Sequence, residues 1–267
     1  MTMSGSGFGA PPGDERAADG SVFGAVADSY ERVRPGYPPE AVRWLLAEST
    51  DLNEPATPRT VIDLAAGTGL LTRPLLADRH WVVSVDPSRQ MLARLTRRIR
   101  TAYAVRGVAE AIPLSTECAD AIVVGQAFHW FDTSRALAES ARVLRPGGTL
   151  GLVWNRRDES VPWVRHLSRL LDSPHEWDER WSADLLDTLD FDRRFTDAGH
   201  TRYRMWQRLN RDDLVQLVST RSYVASMNSE DRRQLLEQVG LLYDMTANQP
   251  DGLVLPYTTL CYRVRRV

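Results

Sequence analysis

Residues 61–71 constrain the fold more than any other stretch of the chain. They read Val61-Ile62-Asp63-Leu64-Ala65-Ala66-Gly67-Thr68-Gly69-Leu70-Leu71. An apolar run that reaches an acid, a turn of small residues and then an amphipathic stretch form a strand–turn–helix unit. Such a turn lets a ligand approach backbone that side chains would otherwise shield. The helix that follows offers unpaired amides to negative groups. Apolar runs then recur at residues 81–86, 103–105, 121–124 and 149–154, separated by helical stretches at 70–77, 89–100 and 134–144. Continuous apolar strands alternating with helices predict a mostly parallel sheet covered on both faces, an α/β, Rossmann-like, doubly wound layout. Further strands at 201–209 and 253–263 would bring the sheet to seven.

Composition removes several alternatives. With 267 residues, 43% of them hydrophobic and 25% charged, the chain suits one globular domain with additions. The net charge of −2 argues against a dedicated nucleic-acid binder, whose affinity comes from neutralising phosphates. All 33 basic residues are arginines, which excludes Schiff-base and P-loop lysine chemistry. Cys118 and Cys261 are too few for a disulfide framework and fit a reducing, cytoplasmic setting. The five histidines show no metal-site spacing, so no metal is expected. No apolar stretch is long enough to span a membrane. Of two arginine runs, at 94–100 and 263–266, the first lies near a helix C-terminus and reads as a solvated face.

The glycine pattern bears on the ligand. A dinucleotide fingerprint needs Gly-x-Gly-x-x-Gly, whereas Gly67-Thr68-Gly69-Leu70-Leu71-Thr72 lacks the third glycine. Asp63, just before the turn, would repel a pyrophosphate. It would tolerate a zwitterionic amino-acid tail beside a sulfonium, which favours S-adenosylmethionine over a nicotinamide cofactor. Asp86, 23 residues after Asp63, ends the next strand where a carboxylate can accept from ribose hydroxyls.

With these features the chain resembles the class I S-adenosylmethionine-dependent methyltransferases, in their small-molecule branch. The family's Asp/Glu-x-Gly-x-Gly-x-Gly pattern falls on Asp63, Ala65, Gly67 and Gly69, with Ala65 in place of the first glycine. Its acid after the second strand matches Asp86, and Pro87 and Met91 would flank the adenosine. Its motif after the third strand matches residues 107–113, where the Ala109 amide would contact adenine and Glu110 lies alongside. Val108 stands where many relatives carry aspartate. Residues 144–150, with Gly147 and Gly148 in structural roles, match the turn into the fifth strand. The resemblance covers residues 23–154 and implies methyl transfer by in-line displacement, driven by positioning and desolvation.

Substrate-facing residues are expected where the fourth and fifth strands end. Gln126 belongs to the loop that in similar enzymes lies beside the methionine moiety and the methyl group, and the resemblance implies that it contacts the cofactor. His129 can serve as general base toward a hydroxyl or amine, or can simply pack in the aromatic cluster of Phe128, Trp130 and Phe131. Those rings can also face a sulfonium. Tyr30 and Arg34, in a segment similar to one that folds over the cofactor in relatives, would close a lid, with Arg34 on the methionine carboxylate. Asn155, Arg156 and Arg221 are candidates for holding a polar substrate, as is Trp130.

Residues 1–20 are expected to form a disordered tail, and 21–267 a single domain. Within it, 22–58 would be a helical lid, with a first helix that runs through Tyr30 and ends before Pro35 and a second at 39–48; 59–155 would be the cofactor-binding core, and 156–267 late strands and a helical cap with helices at 161–171, 183–189, 212–224 and 230–247. A small-molecule substrate leads; an RNA or protein methyltransferase and a non-catalytic cofactor-binding module are the alternatives.

Overall fold

The computed structural model describes residues 33–48, 50–171, 188–189, 192–247 and 252–267. The expected tail, the expected helix through Tyr30, and most of an expected helix at 183–189 lie outside them.

Helix α1 (Pro39–Leu45) carries its proline in the first turn, where no intrahelical amide donor is lost. The strands β1 (Thr60–Leu64), β2 (Trp81–Asp86), β3 (Tyr103–Arg106), β4 (Ala119–Gly125) and β5 (Leu144–Arg157) follow. They are joined through α2 (Thr72–Ala77), α3 (Arg89–Arg98) and α4 (Thr133–Val143). The later part contributes α5 (Pro162–Leu170), β6 (Phe195–Leu209), α6 (Arg211–Ser219), α7 (Ser222–Ser226), α8 (Ser229–Thr246) and β7 (Leu253–Arg266). Side chains fix several helix starts. Ser88, Asp132, Asn210 and Asn228 each accept from a backbone amide of the first turn that would otherwise lack a partner.

The strands form one seven-stranded sheet in the order β3-β2-β1-β4-β5-β7-β6. Strands β1 to β5 pair in parallel, and β7 inserts antiparallel between β5 and β6. The sheet is the one its pattern predicts: mostly parallel, seven-stranded and Rossmann-like. Its order reverses between β1 and β4, and such a switch point is where an open α/β sheet binds ligands.

The strict period of two on each strand divides the core. Ile62 and Leu64, Ile122 and Val124, and Leu150, Leu152 and Trp154 join a buried cluster with Leu137 and Ala141 of α4. Their odd-numbered neighbours Val61, Ala121, Val123 and Val153 join another with Leu45 of α1 and Leu75 of α2. Each fully buried Leu, Ile or Val stabilises the fold by roughly 1.5–3 kcal/mol, which is why the runs are apolar on both faces. A third cluster gathers α5, α6 and α8 with the ends of β6 and β7, and includes Val33.

Two elements differ from expectation. β6 starts at Phe195, six residues before the expected strand, because beyond an irregularity between Thr196 and Gly199 its pairing with β7 continues to Phe195 and Arg266. The helix expected at 212–224 is two helices, α6 and α7, separated at Thr220 and Arg221. Arg221 is extended there, and the Thr220 carbonyl accepts from the distant Arg34 rather than continuing the helix.

Candidate active site

The turn after β1 runs through left-handed backbone, which glycine adopts freely and alanine does not. Ala65, Gly67 and Gly69 all have positive φ, at 57°, 55° and 92°. For Ala65 this costs roughly 1–2 kcal/mol, the kind of strain that persists at functional sites. Asp86 latches the turn to the end of β2: its Oδ2 accepts from the Gly67 amide at 2.9 Å and its Oδ1 from the Ser88 amide at 2.8 Å. About two of its lone pairs remain for other donors. Burial pushes its carboxyl above the usual range, while the two amides oppose that shift.

Asp63 lies beneath the turn. Parallel register sets it beside Ser84 of β2, so both side chains share one face of the sheet. Thr72, at the start of α2, reaches down to both. Its hydroxyl donates to Asp63 Oδ2 at 2.6 Å and lies 2.8 Å from the Ser84 hydroxyl. Asp63 is 1% exposed, and burial raises its carboxyl to about 7 against the hydrogen bonds from Thr72.

Asp63 and the turn above it border a cleft of about 180 Å³ at the carboxyl ends of β1 and β4, and Asp86 acts on it only through its hold on the Gly67 amide. Asp63, Ala65, Gly67 and Thr68 form one wall, with Met91 of α3 beside them. Gly125 and Gln126 form another. A Cβ at Gly125 would lie 2.6 Å from the Tyr37 hydroxyl and 2.9 Å from Leu71 Cδ1, so only glycine leaves this wall open. Gln126, at φ 61°, turns the chain out of β4.

Residues 34–37 cross this edge as a strap, and Arg34, Pro35 and Tyr37 line the cleft. Three side chains distant in sequence tie the strap down. Asn155 Nδ2 donates to the Gly36 carbonyl at 2.7 Å, and Gln207 Nε2 donates to the Val33 carbonyl at 2.8 Å. Arg34 donates from Nε to the Thr220 hydroxyl and from Nη2 to the Thr220 carbonyl, at 3.2 and 2.9 Å.

The structure therefore brings together Arg34, Asp63, Ala65, Gly67, Met91 and Gln126 in one cleft. The other expected site residues do not line it. Gly69 packs toward α3, where a Cβ would lie 2.9 Å from Ile99 and 3.1 Å from Leu95. The Pro87 carbonyl accepts from Arg106, Ala109 is buried in the core, and Glu110 accepts from the Asp132 amide. Asn155 braces the strap, its Oδ1 accepting from the Thr259 hydroxyl. Arg221 follows Thr220 at the start of α7. Tyr30 lies outside the described residues. Tyr37, Thr68 and Gly125 border the cleft although sequence patterns did not single them out. Gly125 alone carried a local signal, as a glycine closing an apolar strand.

His129 belongs to a 3-10 turn, Phe128–Trp130, directly after β4. Its ring rests on Trp130, with centroids 4.7 Å apart. The residue keeps an exposed edge, yet desolvation by its surroundings lowers the imidazole to about 4, so it is neutral at pH 7. Trp130 is 62% exposed, whereas Phe128 is buried in the core against Phe131. Among the described residues no three side chains are grouped to hold a metal, and no helix is long and apolar enough to cross a membrane.

A sheet of this order, with an acid beneath a positive-φ turn and a second acid latching it, defines an α/β nucleotide-binding enzyme. The chain belongs to the class I S-adenosylmethionine-dependent methyltransferases. A family model for a methyltransferase domain matches residues 62–152. An uncharacterized methyltransferase of Mycobacterium tuberculosis is 41% identical over 244 residues, covering 90% of this chain and 94% of the relative. A malonyl-[acyl-carrier protein] O-methyltransferase of Methylococcus capsulatus is 38% identical over 138 residues, 49% of each chain. Among solved structures, a candidate type II methyltransferase from Anaeromyxobacter dehalogenans superposes with a TM-score of 0.62 at 25% identity, covering 87% of this chain and 97% of that one.

The cleft fits the cofactor that this family uses. Asp63 brings a buried carboxyl to the cleft that a cation would favour, glycine at 125 keeps one wall open, and Arg34 brings a guanidinium that would suit a carboxylate.

Proposed function

We propose that this methyltransferase acts on a small organic molecule, with S-adenosylmethionine held between the turn 65–69 and the strap 34–37. The observation that carries this reading is the cleft itself. Residues 34–37 line the cleft beside the carboxyl ends of β1 and β4 and are tied there by Asn155, an arrangement that suits a small acceptor. The net charge of −2 points the same way.

When bound, the cofactor supplies a methyl group already activated by the sulfonium. The protein's own residues bind, orient and exclude water. Asp63 would balance the positive end, Arg34 would take the amino-acid carboxylate, Met91 would flank the nucleoside, and Asp86, holding the Gly67 amide, would keep the turn in place beside it. Gln126 and Tyr37 shape the approach of the acceptor. His129, outside the cleft lining and held near 4, is assigned no proton transfer in this reading.

Calorimetry tests the cofactor part: S-adenosylmethionine and its demethylated product bind, and absence of both interactions overturns the proposal. Mass analysis of products from isotopically labelled cofactor tests the acceptor part. Transfer to small organic molecules is expected, and transfer confined to RNA or protein overturns it.

A further inference from the structure

Beyond the strap's attachment to Thr220, a cluster of guanidiniums gathers behind the strap, and of its members Arg34 lines the cleft. The cluster is assembled from three distant segments. Arg157 is the last residue of β5 and stands opposite Tyr257 of β7 in antiparallel register. The Tyr257 hydroxyl donates to Gln207 Oε1 at 3.3 Å, and the same Gln207 amide holds the Val33 carbonyl, one residue before Arg34. Arg34 lines the cleft and is bonded to Thr220, and Arg221 is the next residue. Asn155, which shares a strand face with Arg157, bonds Gly36 of the strap. Contacts and register thus chain Arg157, Tyr257, Arg34 and Arg221 together at one end of the sheet.

We infer that Arg157 and Arg221, beside Arg34 and Tyr257, form a receptor for an oxyanion of the methyl acceptor, a carboxylate or a phosphate. This rests on the small-molecule methyltransferase reading above and names the substrate class it takes.

The electrostatics agree. Arg157 is half-buried, and among the described residues no carboxylate lies within ion-pair distance of it. Desolvation, then the nearby Arg221, pulls its guanidinium down to about 10, with Tyr257, Glu159 and Tyr223 opposing the shift. The Tyr257 phenol, raised to about 12 by burial, feels Arg157, Arg221 and Arg34 together. Like charges gathered in a partly desolvated place repel one another, and an anion between them relieves that repulsion. A planar guanidinium fork suits both carboxylate and phosphate oxygens. Arg157, Arg221 and Tyr257 also fall outside residues 62–152, the part that the general methyltransferase model matches. That is where a specificity element distinct from the cofactor machinery belongs.

The test uses the full chain saturated with S-adenosylhomocysteine, titrated with succinate, phenyl phosphate and neutral succinamide. Binding is followed by calorimetry and by nitrogen-15 NMR of the arginine Nε–H signals. At least one of the two anions is expected to bind ten or more times tighter than succinamide and to move the Arg157 and Arg221 signals. Arg157→Gln and Arg221→Gln should each weaken that anion at least fivefold, Arg157→Lys less so, with S-adenosylhomocysteine affinity within twofold throughout. Circular dichroism checks that each variant is folded. Equal binding of succinamide and both anions, or no anion binding, overturns the inference. So does a shift of the Arg157 and Arg221 signals by S-adenosylhomocysteine alone that excludes the anions, since the cluster then serves the cofactor. Failure of S-adenosylhomocysteine to bind at all is a different result, and it strikes the reading of the cleft.

Discussion

Asp63 shows how one side chain sets the terms of cofactor binding. In the free protein its carboxyl titrates at about 7, because burial disfavours the charge. A cation in the cleft reverses that preference and favours the carboxylate. Binding S-adenosylmethionine near pH 6 should therefore release close to one proton, and at pH 8.5 close to none. Calorimetry in buffers of different ionisation enthalpy measures the release directly. Asp63→Asn should abolish it and weaken S-adenosylmethionine more than its uncharged product; no proton release from the natural protein at pH 6 would contradict the assignment. His129 makes the opposite case. An imidazole near 4 is a weak base at neutral pH, and it does not line the cleft. His129→Ala should change the turnover rate by less than about threefold, and a loss of the ~10²–10⁴ typical of a removed general base would restore His129 to the chemistry. At this scale the sequence is informative where a residue type is forced by local chemistry. Asp63, Gly67 and Gly69 are legible because a strand end and a positive-φ turn demand them. Tyr37 and Thr68 are not, because their roles arise only once the strap lies across β1 and β4.

Among the elements, the strap depends on tertiary tethers rather than its own propensity. Pro35 and Pro38 remove backbone donors, so residues 34–38 hold their place through other parts of the chain. Asn155, Gln207 and Thr220 reach it from 119, 174 and 186 residues away. Contacts so remote leave no periodic trace in sequence, which is why Asn155 looks like a substrate ligand there and a brace here. The break between α6 and α7 has the same origin: apolar spacing runs through residues 212–224, but the Thr220 carbonyl is bonded to Arg34. The inner strands β1, β4 and β5 are legible for the opposite reason, since each is buried on both faces, a property written locally, whereas β6 alternates toward solvent and its start is not. Asn155→Ala should loosen the strap without unfolding the sheet. Losing its two hydrogen bonds, to Gly36 and Thr259, costs about 1–3 kcal/mol. The expected result is faster amide hydrogen exchange confined to residues 33–38 and their tethers, with cofactor affinity roughly tenfold lower. Unchanged exchange there, or acceleration throughout the sheet, would show that the strap is held some other way.

For the whole molecule, the same buried acid that prepares the site burdens the free fold. The folded chain binds the Asp63 proton at about 7, while an unfolded aspartate releases it near 3.8. Its native state thus holds more protons across that interval, so the Asp63 contribution to stability is complete below pH 4 and is lost as pH rises through 7. Each pH unit between the two values corresponds to at most about 1.4 kcal/mol. In a chain of this size, 1 kcal/mol moves the melting temperature by roughly 2–4 °C. Other ionisable groups respond to pH as well: Asp120, Glu139 and Asp192 are held low mainly by their hydrogen bonds and arginine partners, and they stabilise the fold above their own range. Comparison with Asp63→Asn isolates the one group, because the amide oxygen can still accept from Thr72 but carries no titratable charge. The substituted protein should melt close to the natural one at pH 4.5 and several degrees above it at pH 7.5, the gap levelling off above pH 8. Scanning calorimetry of both proteins across that range decides the matter. A gap that is constant with pH would mean that Asp63 is already ionised in the free cleft, and the proton released on cofactor binding would have to come from elsewhere.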